Sequence, residues 1–280
     1  RRRHTRLLTV TGVQTCALPI CDCTGSCASV LVDGGDLFQG TPASNLAFGR
    51  PVIALYNALG YAATAVGNHD FDWSQDTLRA RMREAHFAML AANVTDAAGK
   101  PVPWIRADTI VERGGLKVGL VGLALLGTPI TTMPANVATL RFHPGGPIVA
   151  ARAKALRARG ADLVIVVAHA SFDCDSTCRG ELADVALQAG SDIDAIIGGH
   201  SHNEVPAMVG RVPLMRARSS GRAVAVVDLP VARAARAAVR PRVVYVATDS
   251  VAPDTAIERI VANAVAPVRE VAAQIGRAHV

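Results

Sequence analysis

Four apolar runs of this chain each end in a short string of Asp, Asn or His, and those endings are the residues equipped for chemistry. VLVDGGD closes on Asp36, ATAVGNHDFD carries Asn68, His69 and Asp72, LVIVVAHA carries His169, and AIIGGHSH closes on His200 and His202. A fifth run, FAMLAANV, carries Asn93 near its end, a residue with no obvious chemical role. Oxygen and imidazole ligands without thiolate suit Zn, Mn, Co or similar ions and do not choose among them. In open α/β sheets, ligands bind outside the carboxyl ends of the strands. The four endings therefore read as one metal site assembled from distant segments.

Each residue also has a plainer reading. Asp36 follows two glycines that allow close backbone approach, so its carboxylate can bridge two cations. Taken alone, an Asp capping a turn is the better reading; it weakens because similar groups recur at the other strand ends. Asn68 offers a neutral amide oxygen. Asp72, three residues after His69, can accept a hydrogen bond from one imidazole nitrogen and fix the tautomer. His69 would then face a substrate as proton donor or charge stabiliser. A helix-entry turn with Asp70 and Asp72 as caps competes with that. His169, taken singly, reads as a satisfied core histidine. His200 and His202, on a loop freed by Gly198 and Gly199, can reach two adjacent metals; a polar loop with incidental histidines is the alternative. Phe38, Gln39 and Thr41 are candidates for the site floor, although loop packing explains them equally well. His86 and His143 read as surface or packing residues.

The elements that must position these groups alternate between strand and helix. Strands are expected over 29–35, 62–66, 87–92, 162–168 and 194–198, and helices over 51–59, 74–85, 147–159, 180–189 and 254–273. Pro51 suits a first helical turn and Ser74 an N-cap. Gly114-Gly115 between 104–113 and 116–124 signals a hairpin. Segments 205–209, 212–217, 222–230 and 241–248 read as a final meander. Runs such as DLVIVVAH are apolar throughout, as in strands buried on both faces. The pattern argues for stacked sheets with helices outside.

The two ends read differently. RRRHTR followed by VTGVQTCALPI, and the tail IGRAHV, match translated sequencing adapter. Residues 1–21 and 274–280 are therefore expected to be non-native and are set aside, leaving 22–273 as one large α/β domain. Arg1, Arg2, Arg3, Arg6 and Arg277 account for five of the 29 basic residues, which leaves 24 against 23 acidic ones. That near-neutral balance removes the case for nucleic-acid or membrane partners, and the N-terminal apolar segment is too short and too polar to span a bilayer. Cys174 and Cys178 lie in the loop FDCDSTC. A disulfide or free thiols are favoured there over zinc, for which Cys23 and Cys27 offer only a loose second pair.

DGGDLFQGTP, NALGY, VGNHDFDW, AANV, MPANV and IGGHSH, in this order, resemble the 5′-nucleotidase branch of the calcineurin-like metallophosphatases over nearly all of 29–273. The resemblance implies an α/β fold, a four-layer α/β/β/α sandwich, with two divalent metal ions. It implies that Asp36 bridges the metals, that Asn68, His169 and His200 complete one site, that His202 serves the other, and that His69 and Asp72 form the catalytic dyad. The reaction implied is hydrolysis of nucleotide phosphomonoesters. On the same fold, 2′,3′-cyclic-nucleotide phosphodiesterase and UDP-sugar hydrolase are alternatives; a non-catalytic metal-binding module is an alternative of another class. Relatives are periplasmic or secreted, and a monomer is expected.

The chain departs from the family pattern in two ways. It has no Asp-x-His motif upstream of Asp36, and it stops where the family's substrate domain would begin. The domain is accordingly expected to lack its first strand, with residues 5–15 filling the gap. It is expected to hold one complete metal site and to turn nucleotides over poorly.

Overall fold

The computed structural model describes residues 6–11, 27–232, 239–246 and 251–278, with side chains for 28–232, 239–246 and 251–274. In chain order the strands are β1 (Arg6–Thr11), β2 (Cys27–Asp33), β3 (Ala63–Ala65), β4 (Ala88–Leu90), β5 (Val94–Asp96), β6 (Asp108–Arg113), β7 (Leu116–Leu123) and β8 (Leu140–Phe142). They continue with β9 (Leu163–Ala168), β10 (Asp173–Cys174), β11 (Cys178–Arg179), β12 (Ala195–Gly198), β13 (Val205–Val209), β14 (Val212–Arg216), β15 (Ala223–Pro230) and β16 (Arg242–Tyr245). The helices are α1 (Pro42–Asn45), α2 (Arg50–Leu59), α3 (Gln75–Glu84), α4 (Thr128–Thr131), α5 (Pro134–Val137), α6 (Gly145–Ala158), α7 (Glu181–Ala189) and α8 (Thr255–Ala278).

Two six-stranded sheets form the centre, in the orders β16-β15-β1-β2-β3-β4 and β13-β14-β12-β9-β7-β6. Period-two alternation sorts their side chains. In β9, Leu163, Ile165 and Val167 join Val118 and Leu120 of β7 and Val30 and Val32 of β2 between the sheets. Val164, Val166 and Ala168 point the other way, onto Val149 and Leu156 of α6 and Leu182 of α7. On the outer face of the first sheet, Val66 and Met89 pack with Ile53 and Tyr56 of α2 and Leu78 of α3. The result is the four-layer α/β/β/α sandwich.

Local signals hold where their physics is local. Ser74 accepts a hydrogen bond from Thr77 N and caps α3. Pro51 lies in the first turn of α2, and β6 and β7 pair antiparallel around Gly114-Gly115. The expected final meander is corrected. Its strands form, but β13 and β14 join the second sheet through parallel pairing of β14 with β12, while β15 and β16 join the first. Every residue of β14 is buried, and only the sandwich interior covers both faces of such a strand. The short elements α1, α4, α5, β5, β8, β10 and β11 were not foreseen.

The place that the sequence reading leaves vacant is filled. β1 pairs parallel with β2 and antiparallel with β15; residues 5 and 12–15 of the segment expected there lie outside the described residues. Cys174 and Cys178 are joined by a disulfide across the β10–β11 ladder. Cys23 and the side chain of Cys27 lie outside the described residues. Among the described residues, no helix is long and apolar enough to cross a membrane.

Leu120 has no exposed surface and sits between the sheets. Leu120→Ala is expected to cost about 2–5 kcal/mol by urea denaturation. A loss below about 1 kcal/mol would show that the two sheets are not tightly packed there.

Candidate functional site

The carboxyl ends of β2, β3, β9 and β12 open on one cavity of about 620 Å³, whose lining includes Asp36, His69, His169, His200 and His202. Asp36 stands three residues past β2, Asn68 and His69 follow β3, His169 is the first residue after β9, and His200 follows β12. Two strands of each sheet therefore contribute. Asp36 and His200 have left-handed backbones, with φ of 61° and 74°, a conformation that costs a non-glycine residue free energy and tends to gather at functional sites. Phe38, Gln39 and Thr41 also line the cavity, while Phe38 is at the same time buried in the packing of the loop.

The ligand atoms of Asp36, His169 and His200 all lie within 4.8 Å of one another. The hydrogen bonds around His169 test whether they fit a cation. Its Nδ1 lies 2.8 Å from the Gly34 carbonyl, which can only accept, so Nδ1 carries the proton. Its Nε2 then faces two oxygens, Asp36 Oδ2 at 2.9 Å and Asn68 Oδ1 at 3.1 Å. The Asn68 amide orientation is fixed because Nδ2 donates to the Thr131 carbonyl at 3.1 Å. A lone pair aimed at two acceptors is repulsive unless a proton or a metal ion sits among them. The donor set therefore fits a divalent ion.

The electrostatics agree. Burial opposes a positive charge on His169, but the Asp36 hydrogen bond and charge, with the Gly34 carbonyl, outweigh it and raise its pKa. Burial pushes Asp36 up, yet the bond to and charge of His169, helped by the His69 amide, hold it below the usual carboxylate range. Burial and the His169 charge hold His200 below an ordinary histidine. Asp33 is pushed up by burial, although its oxygens accept from Gly35 N and Tyr56 OH.

His69 and Asp72 form a separate pair, of which His69 lines the same cavity. His69 Nδ1 lies 2.7 Å from Asp72 Oδ2, and Thr132 Oγ1 donates to Asp72 Oδ1 at 2.7 Å. The Asn136 amide donates to the carbonyls of Phe71 and Asp72. Asp72 is thus held on both oxygens and fixes the His69 proton on Nδ1, leaving Nε2 free. The His69 side chain is 41 % exposed, enough to meet a substrate.

Other expectations separate here. His202 lines the cavity but is exposed and stands outside the tight Asp36–His169–His200 group. Asn93 is fully buried and stitches backbone, accepting from Ala124 N and donating to the carbonyls of Ala124 and His143. His86 is exposed and His143 pairs with Thr95; neither lines the cavity.

Asp70 was missed. Its two oxygens accept from Leu37 N and Gly67 N at 2.9 and 2.8 Å, tying the Asp36 loop to the Asn68 loop. Burial and the Asp36 charge push it up to about 7. Its place in NHDFD was the only sequence signal, and that signal does not say which way the carboxylate points. Gly67 is the tightest point of this junction: a Cβ there would lie 2.1 Å from Asp36 Oδ1 and 2.4 Å from Asp36 N.

A family model described as Calcineurin-like phosphoesterase matches residues 25–204. The chain is 30% identical over 213 residues to a snake venom 5'-nucleotidase of Naja atra, covering 71% of this chain and 38% of that protein. It is 34% identical over 200 residues to a 2',3'-cyclic-nucleotide 2'-phosphodiesterase/3'-nucleotidase of Yersinia enterocolitica, covering 64% of this chain and 30% of that protein. The chain thus spans well under half the length of these curated relatives. In fold it is similar to the crystal structure of a 5'-nucleotidase precursor from Thermus thermophilus, with a TM-score of 0.73 at 21% identity over 95% of this chain and 59% of that one.

Gly67→Ala is expected to cost about 1–3 kcal/mol in denaturation of the metal-free chain, because the Asp36 backbone as well as its carboxylate must move. At Gly127 a Cβ meets nothing closer than 3.8 Å, so Gly127→Ala serves as control and should change stability by less than about 0.5 kcal/mol. Equal effects at the two positions would refute the close approach.

Proposed function

The chain belongs to the calcineurin-like phosphoesterase family, and from that premise we propose that residues 22–273 form a catalytic domain for metal-dependent hydrolysis of nucleotide phosphomonoesters, of the 5′-nucleotidase type. The observation that carries this reading is the meeting on one cavity of the Asp36–His169–His200 group and His69, whose ring Asp72 holds from behind. Asp36, Asn68, His169 and His200 would hold one divalent ion, and Asp36 with His202 would contribute to a second. Such ions supply positive charge for phosphate oxygens and make water a stronger acid.

The chain's own groups have distinct roles in this reading. The Gly34 carbonyl keeps His169 Nε2 turned to the ion. Asn68 contributes a neutral oxygen where Asp33, Asp36 and Asp70 already crowd negative charge. With its ring fixed through Nδ1–H by Asp72, His69 would donate from Nε2 to the developing charge on the leaving oxygen once Nε2 has taken up a second proton from solvent, since only the doubly protonated ring donates from both nitrogens. A second ion would have fewer protein ligands. The sequence that follows β1, Gly12-Val13-Gln14, contains neither Asp nor His, so it offers no Asp-x-His ligands.

A second substrate class is kept because a specific likeness favours it. The Yersinia relative's name couples cyclic-phosphodiesterase with 3'-nucleotidase activity. An extracytoplasmic location is proposed as well, supported by the venom relative and by the Cys174–Cys178 disulfide, since such bonds persist in oxidising compartments.

Metal analysis of the purified 280-residue chain, with phosphate release from AMP, 3′-AMP and 2′,3′-cyclic AMP, tests the reading. The expected result is about one tight divalent equivalent and slow turnover. His169→Asn should release the metal. His69→Asn should keep it and lower kcat by roughly 10²–10⁴. A chain that binds no divalent ion, or whose turnover neither substitution changes, overturns the reading. Two tight ions with fast turnover overturn the single complete site.

A further inference from the structure

Arg216, the last residue of β14, is the largest fully buried side chain among the described residues, at 1 % exposure. Its position is unusual for a charge. The guanidinium carbon lies over the Phe172 ring, 4.5 Å from the centroid. Nε donates to the Asn203 carbonyl at 3.0 Å, and Nη2 donates to the Asn203 side-chain oxygen. Asp173 Oδ1 stands 3.5 Å from Nη2. Nη1 is buried without a hydrogen-bond partner among the described residues, and burial lowers the guanidinium's pKa from its ordinary value despite Asp173.

For stability alone this is a poor choice, since burying a cation with an idle N–H costs more than burying an aliphatic chain of similar size. What the side chain does connect is specific. Phe172 and Asp173 lie in the loop that begins at His169, and Asn203 is the first residue after His202. The Phe172 ring also packs beneath the second histidine loop, close enough that a Cβ on Gly198 would meet it at 2.8 Å. Ser171 Oγ and Ser201 Oγ, 3.3 Å apart, add a tie between the same two loops. Arg216 therefore grips both histidine-bearing loops from below.

We infer that Arg216 is a positioning residue that sets the spacing of the His169 loop against the His200–His202 loop and so the geometry of the metal ligands. Arg216 also lines the cavity, and its hold on the two loops runs through Asn203 and Phe172. The planar guanidinium fork suits such a clamp, because two donors in fixed relation can take both oxygens of one residue, which an ammonium cannot do. The inference rests on the metal-binding reading above.

The test compares Mn²⁺ affinity, by titration of the full chain, among wild type, Arg216→Met, Arg216→Lys, Asn203→Ala and Leu214→Ala. Leu214 is a buried neighbour on β14 without polar contacts to either loop, so its variant reports general destabilisation. Arg216→Met is expected to weaken Mn²⁺ binding about 10–100-fold, the usual effect of losing a group that orients a ligand. Arg216→Lys, keeping the charge and one hydrogen bond, should fall between it and wild type. Asn203→Ala, on an exposed loop, should fold normally and still weaken binding several-fold. Leu214→Ala should lower Tm with little change in affinity. Affinity that tracks Tm across all variants, or Arg216→Met binding within twofold of wild type, overturns the inference. If wild type binds no Mn²⁺, the metal reading falls instead. The imidazole nitrogen resonances of His200 and His202 in the metal-free chain then decide: shifted and broadened in Asn203→Ala they support Arg216's grip, and unchanged they refute it.

Discussion

The hydrogen bond from His169 Nδ1 to the Gly34 carbonyl joins the end of β9, in one sheet, to the turn after β2, in the other. Most of the site depends on it. It fixes the imidazole tautomer, turns Nε2 toward Asp36 and Asn68, and sets how far apart the two sets of strand ends stand. The backbones must come unusually close for this to happen. A Cβ on Gly34 would lie 2.7 Å from Gly199 N, so the turn beside Asp36 rests directly on the loop that carries His200. The sandwich core supports the contact by packing Val30 and Val32 of β2 against Ile165 and Val167 of β9.

Charge is managed by the same geometry. Asp33, Asp36 and Asp70 crowd a small volume with His169 as the one buried histidine among them. Isolated carboxylates in such a place would be driven to protonate. Asp33 and Asp70 are shifted that way but are satisfied by backbone N–H groups and a tyrosine hydroxyl. Asp36 is shifted the other way, held below the usual carboxylate range by its bond to His169 and that ring's charge. The cluster thus has one carboxylate kept ready for a cation, while the other two brace the loops.

Much of this was legible in the chain. The unbroken apolar run before His169 marked a central strand, and the three-residue spacing of His69 and Asp72 anticipated a bond that a single helical turn can close. Ser74 announced its helix because capping is local. Sheet membership was not legible: β14 and β15 are consecutive apolar strands, and only the interior decides that they part into different sheets. Asp70 and Arg216 escaped for a related reason. Their types are visible, but their partners, Gly67 and Leu37 for one and Asn203 and Phe172 for the other, are specified by tertiary placement. Arg216 in particular reads as a charge closing the strand VPLMR, where solvent would be the ordinary neighbour.

The left-handed backbone at Asp36 and His200 bears on how the two side chains are placed. Here the conformational cost of placing two ligands falls on folding rather than on binding, and both are locked into turns wedged against each other. The positions of the Asp36 carboxylate and the His200 imidazole are therefore set by how the two turns wedge together, and a shift of either turn would move its side chain as a unit.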